Sequence, residues 1–309
     1  MSDAIIKVRA PATSANLGAG FDTLGMALSL YNIITVKRRL PSGEFSSEVT
    51  GEGVRELTDV SANLVIKSYV EACDALGVKD ACGFEMHSNN VIPLSRGLGS
   101  SATAVVSGVL IANGMHRAGA SEAELLRIMT RIEGHPDNVA PCFLGGMTVG
   151  CWDGSELRYV RLPSLPADMY VVVAVPDVKV KTSDARKSLP EMVNFQDAVF
   201  NLGRAALLSA AWATGQWNML SWGMDDRLHQ QYRAKLFPGG DVIMDRVRAI
   251  PGCLGVAISG SGPSVLALSR GKPRKVAETM CRTFSEHGVD SLFFVLEGNA
   301  DGAKIEVAL

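Results

Sequence analysis

Residues 93 to 103 read Pro-Leu-Ser-Arg-Gly-Leu-Gly-Ser-Ser-Ala-Thr and are followed by a run of small apolar residues that continues to Met115. Gly97 and Gly99 allow left-handed turns that aim successive backbone amides at one point. A helix beginning near Ser100 would direct its positive end to the same place. The segment is therefore expected to cradle an anion, above all a phosphate, with the Ser100 and Ser101 hydroxyls beside it and available to Mg²⁺. No lysine follows the glycines, and Gly-x-x-x-x-Gly-Lys-Ser/Thr occurs nowhere in the chain, so a P-loop is excluded. Neither His-Arg-Asp nor Asp-Phe-Gly is present to support a protein kinase. Gly97-Leu-Gly-Ser-Ser-Ala102 also matches the Gly-x-Gly-x-x-Gly/Ala pattern of dinucleotide sites, but that pattern should follow a strand directly, and Pro93 and Ser95-Arg96 intervene after Val91-Ile92. A purely structural glycine turn is the third reading.

A chain of 309 residues suggests about two domains, and 47% hydrophobic with 20% charged residues is the composition of an ordinary soluble globular protein. A net charge of −2 without a long basic block argues against nucleic acid or anionic membrane as partners. The first residues, Met-Ser-Asp-Ala-Ile-Ile-Lys, carry no signal-peptide pattern, and the longest strongly apolar run, Tyr170 to Val175, is too short to span a bilayer. A cytoplasmic location is expected. The six cysteines form no Cys-x-x-Cys pair and read as reduced core thiols; the five histidines show no zinc spacing.

Strand composition marks residues 5–10, 32–38 and 84–93, and helical spacing marks 63–76 and 102–115. Ser121-x-x-Glu124 is a capping box that opens a helix stopped at Gly134. The Pro-rich stretch Leu162-Pro-Ser-Leu-Pro166 divides the chain into domains 1–163 and 164–309. Beyond it the pattern predicts a buried strand at 170–175, helices over 196–214 and 219–233, strands at 254–259 and 265–269, a helix over 274–287 and a strand at 291–296. The order β-α-α-β-β-α-β suggests a ferredoxin-like α+β sandwich.

Three further segments carry chemistry. Pro11-Ala-Thr-Ser-Ala-Asn-Leu-Gly-Ala-Gly-Phe-Asp22 places Thr13, Ser14, Asn16 and Asp22 in a Gly-bearing loop after a strand, either to hold a small polar ligand or to make Asx turns. Glu133-Gly-His-Pro-Asp-Asn138 ends the capped helix; its Glu suits Mg²⁺ together with Ser100, or else it is a solvated helix terminus. Gly260-Ser-Gly-Pro263 is a tight hairpin at minimum.

In this order, Pro11 to Asp22, Pro93 to Thr103 and Gly260 to Ser264 resemble the signature segments of the small-molecule kinases named for galactokinase, homoserine kinase, mevalonate kinase and phosphomevalonate kinase, the GHMP kinases. Pro-Ala-Thr-Ser-Ala-Asn-Leu-Gly with Gly-Phe-Asp, and Glu133 to Pro141, are similar to the homoserine kinase branch, and the match runs from residue 8 to about 270. The resemblance implies a ribosomal S5 domain 2-like N-terminal domain, a ferredoxin-like C-terminal domain and a site between them that uses ATP and Mg²⁺. By that pattern Pro93, Leu94, Ser95, Arg96, Gly97, Leu98, Gly99, Ser100, Ser101, Ala102 and Thr103 wrap the phosphates, and Asn63 lies near the adenine. Ser100 and Glu133 hold Mg²⁺. Asn16, Asp22, His135, Arg186 and Arg233 surround an amino-acid substrate, with the arginines toward its carboxylate and Asp22 toward its ammonium. By their own sequence context the two arginines would pass as solvated surface cations.

Mevalonate-type members use an Asp base with a nearby Lys. This chain offers Asp137-Asn138 and no Lys in Pro11 to Asp22, so Asn138 and Thr182 are expected to orient the substrate hydroxyl without a base. The implied activity is ATP-dependent phosphorylation of the L-homoserine hydroxyl in threonine biosynthesis, by a protein for which a homodimer is compatible. Its rivals are a sister kinase for another small alcohol, a dinucleotide-dependent oxidoreductase, and a non-enzymatic nucleotide-binding regulator.

Overall fold

The computed structural model describes residues 5–297 and 301–308. The first part of the chain forms β1 (Ile5–Ala15), β2 (Leu24–Leu40), β3 (Phe45–Gly51), α1 (Val54–Leu57), α2 (Leu64–Ala75), β4 (Gly83–Asn90), α3 (Ser100–His116), α4 (Glu122–Glu133), α5 (Pro136–Leu144), β5 (Met147–Trp152) and β6 (Leu157–Leu162). The second part forms β7 (Met169–Pro176), α6 (Thr182–Lys187), α7 (Phe195–Thr214), α8 (Leu220–Gly223), α9 (Gln230–Arg233), α10 (Gly240–Arg248), β8 (Cys253–Ile258), β9 (Val265–Arg270), α11 (Pro273–Glu286), β10 (Ser291–Glu297) and β11 (Lys304–Ala308).

β2 organises the first sheet. It runs antiparallel to β1 and β4 along most of its length and to β5 at its start, and β3 joins β4 in parallel, giving the order β11-β1-β2-β4-β3 with β5 and β6 to the side. Period-2 alternation puts Ile6, Val8, Ile34 and Val36 into a core covered by α2 and α3. Helix α3 is apolar on most of its surface because it is central: Val105, Val106, Val109 and Ile111 are fully buried.

The second sheet has the order β10-β7-β9-β8, antiparallel throughout, which is the ferredoxin-like arrangement. Its two faces do different work. Val172 and Ala174 of β7 pack with Met280 and Phe284 of α11, whereas Val171 and Val173 share a buried cluster with Leu24, Met26 and Leu28 of β2 and with Leu208 and Trp212 of α7. An apolar layer therefore joins the two sheets beneath the site.

The structure corrects several sequence expectations. β1 continues through Thr13 and Ser14 to Ala15, so those two residues are buried strand positions, and the loop begins at Asn16. The helix expected over 219–233 is broken into α8 and α9, because the Asp226 carboxylate accepts from the amides of Leu228, His229 and Gln230 and from Asn201 Nδ2, drawing the chain into a cap in mid-segment. The end of the segment assigned to the second domain returns to the first: β11 pairs with β1, Val307 opposite Ile6 and Ile305 opposite Val8. The cysteines are unpaired as expected, but Cys151 is exposed on β5 rather than in a core. Ser121 caps α4 as anticipated, its side chain accepting from the Glu124 amide at 3.2 Å.

Tyr69 of α2 anchors the core at the C-terminal end of α3. It stacks edge-on against Phe84 at 4.9 Å, and its hydroxyl donates to the Cys82 carbonyl at 2.6 Å and lies 2.7 Å from His116 Nε2. Tyr69→Phe keeps the ring and strands those partners, so it should cost about 1–3 kcal/mol of stability. Thermal unfolding is expected to shift down while the KM for nucleotide stays constant; an unchanged midpoint would show that the hydroxyl is dispensable.

Candidate active site

A cavity of about 360 Å³ opens between the two sheets' loops. All of the sequence-expected site residues line it except Ala102, which is fully buried in the α3 core and can offer a ligand only its backbone. The loop of residues 93–99 turns through left-handed conformations at Ser95, Gly97 and Gly99 (φ 55°, 73° and 68°) before α3 starts. No side chain caps that helix, so its first-turn amides are left for a ligand.

The glycines also answer to packing. A Cβ on Gly97 would lie 2.1 Å from the Ser259 carbonyl oxygen, and one on Gly99 would lie 1.8 Å from Thr13 Oγ1. The reading of this segment as a structural turn therefore holds, and the same turn opens onto the first-turn amides of α3. The Ser259 hydroxyl donates to Gly97 O at 2.7 Å, and the Thr13 amide donates to Leu98 O at 3.0 Å. Arg96 turns its guanidinium toward Asp177 (2.8 Å), and Asn63 caps α2, accepting from the Val65 amide and donating to the Leu57 carbonyl. Thr103 donates to the Ser100 carbonyl at 2.8 Å.

Glu133 ends α4, the left-handed Gly134 turns the chain, and His135 precedes α5. The hydroxyl that touches Glu133 belongs to Ser101, at 2.8 Å from Oε1. Burial pushes the Glu133 carboxyl above its usual range, against the Ser101 hydrogen bond and the charge of His135. A carboxylate so poorly solvated fits one hard cation, and among the described residues no group of three or more His, Cys, Asp or Glu side chains forms a closed metal cage. Burial would lower His135, but the 2.5 Å hydrogen bond to Asp137 Oδ1 and the charges of Asp137, Glu133 and Asp22 outweigh it and bring the imidazole up to about 9. That shift favours the imidazolium at neutral pH. Asn138 is fixed from both ends: its Oδ1 accepts from Thr13 at 2.8 Å, and its Nδ2 donates to Asp137 at 3.3 Å.

Both arginines line the cavity, but only Arg233 departs from a solvated surface cation, being buried, whereas the Arg186 side chain stays 46% exposed. Arg186 forms a two-pronged pair with Asp22, at 2.8 and 2.9 Å. Arg233, 2% exposed, donates to the Gly260 carbonyl at 2.8 Å; burial and then the charge of Arg186 lower it to about 10, still above neutrality. The same carbonyl takes Asn16 Nδ2 at 2.9 Å, and Asn16 Oδ1 accepts from the Asp22 amide. Thr182 stands at the start of α6. Thr13 and Asp137, both named from the sequence, stand here as the two hydrogen-bond partners of Asn138; Thr13 does so from a buried strand position rather than from a loop.

The dinucleotide reading fails on topology. Apart from the β3–β4 pair both sheets are antiparallel, and the glycine segment follows a loop rather than a strand. Residues 63–146 match the family model described as the GHMP kinases N terminal domain, and residues 201–286 match that of the GHMP kinases C terminal. A homoserine kinase of Carboxydothermus hydrogenoformans is 41% identical over 288 residues, 93% of this chain and 92% of that one. Another, of Natranaerobius thermophilus, is 39% identical over 97% of each chain. The crystal structure of homoserine kinase from Cytophaga hutchinsonii aligns with a TM-score of 0.87 at 32% identity, covering 99% of this chain and 98% of that one. Cradle, hairpin and paired sheets coincide with full-length relatives of one kind, and the chain belongs to the homoserine kinase family of the GHMP kinases.

Proposed function

We propose that this chain transfers the γ-phosphoryl group of ATP to the side-chain hydroxyl of L-homoserine, giving O-phospho-L-homoserine for threonine synthesis in the cytoplasm. The observation that carries this reading is a single cavity holding both a glycine cradle at the head of α3 and a zwitterion site of Asp22, Arg186 and Arg233. The printed names of the relatives agree with it.

In this reading the backbone of residues 97–101 receives the phosphates and Asn63 lies at the adenine end. Glu133, with Ser100 or Ser101, holds Mg²⁺, which when bound neutralises charge on the β- and γ-phosphate oxygens. The substrate carboxylate goes to Arg186 and Arg233, a planar fork being suited to bidentate recognition, and its ammonium goes to Asp22. Binding therefore exchanges the Asp22–Arg186 pair for two pairs of the same kind.

In this reading the transfer proceeds without a general base. His135 already carries its proton, Asn138 is an amide, and Asp137 Oδ1 is occupied by both of them. A loose phosphoryl-transfer transition state needs little proton removal, so Asn138 and Thr182 have only to orient the hydroxyl while the surrounding charges stabilise the transferred group.

Purified protein is expected to release ADP with L-homoserine in a Mg²⁺-dependent manner and to act poorly on L-serine, whose hydroxyl is one methylene short. Turnover of a different alcohol in place of homoserine would reassign the substrate. Glu133→Gln keeps size and removes the anionic ligand; turnover at limiting Mg²⁺ should fall about a hundredfold through misplaced phosphates, and parent-like activity would remove Glu133 from the metal site. Arg186→Ala should raise the KM for homoserine about 30-fold, the low end for truncating a charge pair because this side chain is 46% exposed. The KM for ATP should hold steady, and homoserine methyl ester, which has no anion to lose, should be affected little. Equal losses on acid and ester would take Arg186 away from the carboxylate.

A further inference from the structure

Phe21 belongs to the Gly20-Phe-Asp22 triplet, yet its ring is not part of the cavity lining. Its centroid lies 5.0 Å from the guanidinium carbon of Arg233 and 5.5 Å from that of Arg186. Both distances fall within the range over which the face of an aromatic ring attracts a cation. On another side the ring meets His229 at 5.1 Å, tilted by 34°. The loop carrying Phe21 is tied down at several points: His229 Nε2 lies 2.7 Å from the Gly18 carbonyl, Asn16 bonds Gly260, and Gly18 leaves no room for a Cβ against the Met224 carbonyl.

The two arginines pose an electrostatic problem. They carry like charges close enough for Arg186 to depress Arg233; Asp22 is hydrogen-bonded to Arg186 alone, and Asp22, Asp137 and Asp226 act on Arg233 only through their charge. Arg233 has the Gly260 carbonyl, and its Nε is buried without a hydrogen-bond partner. A second carboxylate in the loop would settle the repulsion, but it would also occupy the donors that a substrate carboxylate has to reach. An aromatic face attracts both guanidinium groups without supplying an acceptor. Burial lowers His229 toward its neutral form against the charge of Asp226, and its Nδ1 is buried without a hydrogen-bond partner.

We propose that Phe21 is a positioning residue whose ring holds Arg186 and Arg233 together against their mutual repulsion and so sets the fork that receives the substrate carboxylate. The inference rests on the proposed assignment of these arginines to homoserine.

The test compares Phe21→Leu, which removes the π face, with Phe21→Tyr, which keeps it, using steady-state kinetics on homoserine and its methyl ester together with thermal melting. Phe21→Leu is expected to raise the KM for homoserine about tenfold, with kcat and the KM for ATP within about twofold and the ester unaffected. Phe21→Tyr is expected to restore the parent KM. If Phe21→Leu does not fold, Phe21→Met fills comparable volume without a π face and takes its place. An unchanged KM for homoserine overturns the inference. So does a parallel rise for acid, ester and ATP, or a Phe21→Tyr as poor as the leucine variant. Should the parent protein not phosphorylate homoserine, the functional reading fails by itself. Calorimetric titration of homoserine then judges Phe21 separately, and equal affinity in parent and leucine variant, or no binding to the parent, overturns the inference.

Discussion

The contact between Gly97 and the β8–β9 hairpin fixes the position of nearly everything else in the site. Ser259 places its carbonyl where a Gly97 side chain would stand and gives its hydroxyl to the Gly97 carbonyl. Close by, the Gly260 amide donates to Ala15 O and the Ser264 amide reaches Arg96 O at 3.4 Å, while β1 holds the other side of the loop through Thr13. The Gly260 carbonyl then serves as the common acceptor for Asn16 and Arg233. One hairpin of the second part of the chain thus braces the glycine loop and locates Asn16 and Arg233, two residues that the proposed function assigns to the substrate. These bonds run largely through backbone atoms, so they define the geometry more tightly than contacts between long side chains could.

Charge is balanced in the same economical way. The carboxylates Glu133, Asp137 and Asp22 and the cations His135, Arg186 and Arg233 all line the cavity. Asp137 and Asp22 are hydrogen-bonded to members of the opposite set, and Glu133 feels the nearby imidazolium. Isolated charges in such a place would be costly. Because partners already exist, a charged ligand can enter by exchanging ion pairs, which requires less desolvation of bare groups than filling an uncharged pocket.

The glycine loop, the capped helix α4 and the hairpin could be read from the chain because each depends on local chemistry: left-handed backbone at Gly97 and Gly99, a side-chain cap at Ser121, a tight turn at Gly260. The ferredoxin-like order was also visible, since β7, β8 and β9 are short runs rich in buried residues. Strands β5 and β6 left weaker traces; β6 buries little and alternates with charged Arg158 and Arg161, so its pairing is set by β5 rather than by its own composition. The break between α8 and α9 depends on Asn201, 25 residues away, bonding Asp226. Ser101 rather than Ser100 meets Glu133 because of the rotation at which α3 leaves Gly99, which no residue spacing encodes. The inward placement of Arg186 and Arg233 depends on contacts across more than 20 residues, to Asp22 and to Gly260.

The pairing of β11 with β1 also bears on how the molecule is made. During synthesis β1 emerges long before its partner β11, so the first sheet keeps one edge unpaired while the elements between them are translated. An open edge of that kind is a template for another strand. Closure of the first sheet therefore has to wait until β11 has been made.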